Sequence, residues 1–87
     1  MSNKYSQYIA VSLQRAAYMG DIIGLEQSYN KLIHYVNKSR DRNYVNMYSK
    51  IQELLGDPIQ NPKDFSKYIL ESQDVSNIAD MERIHKL

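Results

Sequence analysis

The chain of 87 residues contains no cysteine. Disulfide staples and thiolate metal sites are therefore excluded, and with them two usual supports of a small domain. Tryptophan is also absent, and phenylalanine occurs once. Three scattered glycines cannot build a phosphate-cradling loop. No apolar run approaches the roughly 18–20 residues that a membrane-spanning helix needs. The start of the chain lacks the apolar core of a secretion signal, so the expected compartment is the cytoplasm. There is no large surplus of either charge. A net charge of +1 argues against duplex nucleic acid as a partner, because its binders carry a broad basic footprint. Strand signals are missing as well: no Asn-Gly or Asp-Gly turn occurs, and no segment alternates with period two for long.

What remains is helical. Hydrophobic residues make up 43% and charged residues 24%, a composition that folds rather than staying disordered. Tyr5, Tyr8, Ile9, Leu13, Ala16 and Ala17 recur at steps of three and four and predict a helix over 3–19, ended by Gly20. Asp21 can cap a second helix over 22–38. In it Ile22, Leu25, Tyr29, Leu32 and Val36 follow the 3-4-3-4 spacing of an a/d stripe. Ser39 or Asp41 can cap a third over 41–55, with Tyr44, Met47, Tyr48, Ile51, Leu54 and Leu55 on one side. Gly56 and Pro58 stop it. Asn61, Pro62 and Asp64 read as the start of a fourth helix, 62–72, with Phe65, Tyr68 and Ile69 inward. After Ser72 the pattern weakens. Val75, Ile78, Met81 and Ile84 step by threes, so 74–85 is either a further helix or an arm. The expected fold is a single all-α domain over 1–87, a three- to four-helix bundle with antiparallel neighbours. Its small core predicts an oligomer.

Reactive groups are sparse. His34 has Lys31 and Lys38 at helical spacing, so its surroundings are cationic and it reads as a contact residue rather than a catalytic base. Glu82 and His85 form one Glu-x-x-His pair, where a di-iron bundle needs two pairs and two more carboxylates. The pair reads as a solvated C-terminal turn. No metal site, cofactor or catalytic constellation is expected, and the protein reads as a non-enzyme.

Charge placement says more. Residues 1–52 carry a surplus of +4 and residues 53–87 a deficit of −3. The densest basic stretch runs from Lys31 through His34, Tyr35, Lys38, Arg40 and Arg42 to Tyr44. Arg40 and Arg42 precede a helix whose positive end they oppose, so an anion there would meet guanidinium forks and free N–H groups together. Tyr35 and Tyr44 flank that stretch and can stack on a base. These seven residues are the candidate site for a small phosphate-bearing nucleotide or an acidic partner. The basic turn and the acidic tail also suit pairing within one chain or between copies. Eight tyrosines are too many for a core this size, so Tyr5, Tyr8 and Tyr48 are candidates for an interface.

Two resemblances accompany this reading. The run Leu25-Glu26-Gln27-Ser28-Tyr29-Asn30-Lys31-Leu32, with Asn46-Met47-Tyr48 and Pro62-Lys63, resembles the small helical haemolysin-modulating regulators that bind nucleoid proteins. The Asp-His-Arg stretch of that family does not follow Tyr48. That resemblance implies a nucleoid-associated regulator as partner. Ser39-Arg40-Asp41-Arg42, followed by Ser49-Lys50-Ile51-Gln52-Glu53-Leu54, resembles the phage sponge proteins that sequester cyclic oligonucleotides of antiviral signalling. Gly56-Asp57-Pro58 stands where that family's alanine- and tryptophan-containing stretch is expected. This second resemblance implies a helical homo-oligomer with phosphate-binding Arg and Lys and stacking Tyr. A short, cysteine-free chain rich in Asn, Gln, Tyr and Lys also suits a phage accessory protein of the anti-defence kind. The expected function is therefore a binding or inhibitory protein acting on a host protein in the host cytoplasm. The alternatives are nucleotide sequestration at the basic stretch and partnership with a nucleoid regulator.

Overall fold

The computed structural model describes residues 8–84, and every regular element among them is helical. The elements are α1 (Ile9–Met19), α2 (Ile22–Lys38), α3 (Arg42–Leu55), α4 (Pro62–Glu71) and α5 (Gln73–Ile84). The expectation of three to four helices is corrected to five, because the segment after Ser72 is a helix. A 3-10 turn, Pro58–Gln60, joins α3 to α4. Tyr5, His85 and the start of the expected first helix lie outside the described residues.

The chain's local chemistry sets the boundaries. Gly20 adopts φ 68°, and its N–H and that of Asp21 return to the carbonyls of Ala17 and Ala16. This left-handed closure satisfies the last carbonyls of α1 and favours glycine. Asp21 then caps α2, its carboxylate accepting from Gly24 N–H at 2.9 Å. Gly24 is there for space. A Cβ would stand 2.6 Å from the Asp21 carboxylate and 3.2 Å from Ala16 Cβ, so close α1–α2 packing offsets glycine's cost in helix propensity. Asp41 caps α3 by accepting from Asn43 N–H at 3.1 Å, and Ser39 Oγ accepts from Asp41 N–H. Asn61 behaves differently from its expected role. It makes no side-chain cap, and its amide donates to the Asp57 carbonyl instead.

Helix α1 lies at the centre and packs against α2, α4 and α5. Ile9 and Leu13 of α1 share one core with Leu25 and Leu32 of α2, Met47 and Ile51 of α3, Phe65 and Ile69 of α4, and Val75 of α5, all fully buried. Tyr29 anchors the far side. Its ring meets Phe65 edge-on at 5.4 Å and stacks on Tyr48 at 6.1 Å, while its hydroxyl accepts from Gln52 at 2.6 Å. Two residues expected inward are not. Ile22 and Leu54 are exposed, each in a terminal turn of its helix. On α5 the buried face is Val75, Ile78, Ala79 and Glu82, a regular i, i+3, i+4, i+7 set that leaves Met81 and Ile84 outside.

Candidate functional site

Glu82 is the first surprise. The expected solvated turn is instead a carboxylate only 3% exposed. It reaches the N-terminus of α1, where Tyr8 supplies no side-chain cap. Its two oxygens accept from Ala10 N–H at 2.8 Å, from Val11 N–H at 2.9 Å and from the Tyr44 hydroxyl at 2.6 Å. Glu82 therefore caps α1 from another helix, with its charge at the positive end of that helix's dipole. The bonds tie α1, α3 and α5 together at one point. Burial pushes the Glu82 carboxyl up from its ordinary value, and the bonds from Tyr44, Val11 and Ala10 pull part of that rise back. The Tyr44 phenol is pushed well up, first by burial and then by its bond to Glu82.

These directions fix the response to alkali. Tyr44 and Tyr29 are both raised above 10.0, Tyr29 mainly by burial. The unfolded chain gives up these phenolic protons first, so their contribution is whole below pH 10.0 and is lost as pH climbs towards the folded values. Glu82 has the same sign: its raised carboxyl favours the fold on the acid side and less so as pH rises through its folded value. The expected result is cooperative base unfolding, with helical circular dichroism and tyrosinate absorbance changing together. Full tyrosinate formation in an intact helix bundle would contradict this assignment.

The basic stretch is arranged as a turn between α2 and α3. His34, Lys38, Arg40 and Arg42 are exposed there, and among the described residues Lys38, Arg40 and Arg42 form no ion pair. Lys31 is also exposed, further back on α2. The tyrosines are placed otherwise than the stacking idea needs. Tyr44 is 7% exposed and its hydroxyl is held by Glu82. Tyr35 lies edge-on to it at 4.9 Å and points its hydroxyl at Asp41 at 3.5 Å. The start of α3 is also occupied: Asp41 already takes Asn43 N–H on its side chain and Tyr44 and Val45 N–H on its carbonyl. The basic turn thus offers side-chain cations without the aromatic platform or the row of free amides. Of the acidic third, Asp74 meets Lys50 at 2.6 Å, far from this turn in the chain.

A second surface lies at the other end of α2. Tyr18 is 83% exposed, Met19 and Ile23 are each 69% exposed, and Ile22 is exposed beside them. Four large apolar side chains on one tight corner form a ridge that no packing among the described residues explains. From Tyr18 the apolar surface continues into a shallow groove of about 420 Å³ between α1, α4 and α5, where Val11, Tyr18 and Leu70 meet Gln14, Arg15 and Arg83. Arg83 donates to Asp80 at 3.1 Å and leans towards Gln14 Oε1 at 3.4 Å. Of the tyrosines proposed for an interface, Tyr8 is half-buried at the start of α1 and Tyr48 stacks on Tyr29. Tyr18 is the exposed one that sequence reasoning missed. Its position after Ala16 and Ala17, off the stripe that steps through Ile9 and Leu13, was the available signal.

Among the described residues, no group of three His, Asp or Glu side chains comes together to hold a metal ion. None of the described helices is long and apolar enough to cross a membrane. The chain matches no protein-family model, no curated protein and no solved structure.

Proposed function

We propose that this is a non-enzymatic binding protein that docks on a partner protein through the apolar ridge of Tyr18, Met19, Ile22 and Ile23. The supporting observation is the exposure of that ridge on a chain whose core is otherwise well closed. Large apolar side chains held out on a rigid corner cost solubility, and a partner's surface is what recovers their burial. A half-apolar tyrosine beside aliphatic anchors is also the composition of an interface hot spot. The test is to place a photo-crosslinking side chain at Ile23, identify the captured partner, and measure its affinity directly. Tyr18→Ala and Ile23→Asp are each expected to weaken binding by roughly 30-fold, the scale of a hot-spot residue. Unchanged affinity in both variants overturns the reading.

A second reading rests on Lys38, Arg40 and Arg42, which form no ion pair among the described residues. In it the basic turn sequesters a small phosphate-bearing nucleotide. It predicts a rise in melting temperature with at least one member of a nucleotide panel, lost in Arg40→Ala and Arg42→Ala. A panel without any shift removes it.

A further inference from the structure

We infer that the partner segment seated in the groove between α1, α4 and α5 is an acidic amphipathic helix. This rests on the docking reading above and names the chemistry of what docks.

The groove has an apolar floor and a basic rim. Val11, Gln14 and Tyr18 lie at i, i+3 and i+7 on α1, so the α1 wall is about 10 Å long, two turns of helix. Leu70 of α4 faces them. A helix that presents leucine-like anchors at the same spacing fits such a floor. Arg15 stands at the rim with no ion pair among the described residues. Arg83 stands opposite, and its carboxylate partner among the described residues, Asp80, is exposed and does not line the groove. Among the described residues no carboxylate lines it. The rim is therefore cationic, and each planar guanidinium is shaped to take a carboxylate on two donors.

The position of Arg83 follows from the fold. Its neighbour Glu82 is drawn into the core by the α1 amides, which turns Arg83 out over the α1–α5 seam beside Gln14. Tyr18 belongs to both the groove and the exposed ridge, so one helix can cover the two surfaces.

A displayed library of helical peptides tests this, with leucine fixed at i, i+3, i+4 and i+7 and the polar positions varied among Asp, Glu, Lys, Arg, Gln and Ser. Panned on the full chain, it is expected to return a several-fold excess of Asp and Glu over Lys and Arg. Panned on Arg15→Glu, which leaves one anion against Arg83 and a rim of no net charge, the excess disappears. Panned on Tyr18→Ala, recovery falls to background. Arg15 is exposed and forms no ion pair among the described residues, so its variant is expected to fold, which circular dichroism checks independently. Recovery that depends on Tyr18 but shows no preference of charge overturns the acidic helix and leaves the docking surface standing. Recovery indifferent to Tyr18 overturns both. Concentration-dependent self-association lost in Arg15→Glu would seat a second copy in the groove and overturn this assignment of the partner.

Discussion

Glu82→Ala is expected to lower the melting temperature by roughly 15 °C. The reasoning begins with what the substitution leaves behind. Two amides of α1 and the Tyr44 hydroxyl lose their acceptor in a site closed to water. Each buried donor left alone costs about 1–3 kcal/mol. Against this, the variant no longer carries the desolvation cost of a buried carboxylate, which is the main reason the Glu82 carboxyl is raised. The balance is a loss of about 3 kcal/mol, in the lower range for breaking a buried charged network. For a domain of this size, each kcal/mol moves the midpoint by roughly 4–8 °C. Tyr44→Phe removes one of the three bonds and is expected to cost about 1–2 kcal/mol. The double variant is expected to cost less than the sum of the two singles, by about 1 kcal/mol or more, because both act on one network. Additive losses, or a Glu82→Ala variant within about 0.5 kcal/mol of the parent, would show that the carboxylate does not cap α1. Amide exchange gives a second view: Ala10 and Val11 should lose protection in Glu82→Ala ahead of the middle of α1.

Phe65→Ala carries the other large effect, a loss of about 3–5 kcal/mol. Phe65 is the one phenylalanine of the chain and is fully buried. It meets Tyr29 edge-on at 5.4 Å, and Tyr29 in turn stacks on Tyr48. The ring therefore links α4 to α2 and, through Tyr48, to α3. Deleting it opens a cavity that these neighbours fill only in part, since Tyr29 is also held by Gln52. Phe65→Leu keeps most of the volume and is expected to cost less than half as much. Denaturant titration with an unchanged slope would place the loss in stability rather than in a change of the unfolded state. Two variants of equal cost would mean that the cavity contributes little and that the loss lies in the ring contact with Tyr29 that both remove.

These two residues show where sequence reading succeeds and where it stops. Phe65 was legible: it is apolar, it follows a Pro-led helix start, and Tyr68 and Ile69 share its face. Glu82 was not. Its spacing from Val75, Ile78 and Ala79 completes a buried helical face, but a carboxylate at that place reads as polar until its partners are known. Those partners lie 72, 71 and 38 residues away in the chain. The basic stretch illustrates the same limit in reverse. Its cations are where the sequence puts them, at the turn, while Tyr44 and the start of α3 are claimed by Glu82 and Asp41.

The sequence by itself determined α2, α3 and α4 and the end of α1, because periodicity, Asp caps and the left-handed Gly20 act within a few residues of one another, while the last segment stayed open between a helix and an arm. It determined which faces are apolar, since a helix rotates its side chains by a fixed angle per residue. Only the tertiary structure decided which faces are covered and by what. It drew Glu82 inside, left Tyr18, Ile22 and Ile23 outside, and assembled a groove from α1, α4 and α5. Burial and electrostatic surroundings are properties of neighbours brought together across the chain, and the spacing of residues along one helix does not contain them.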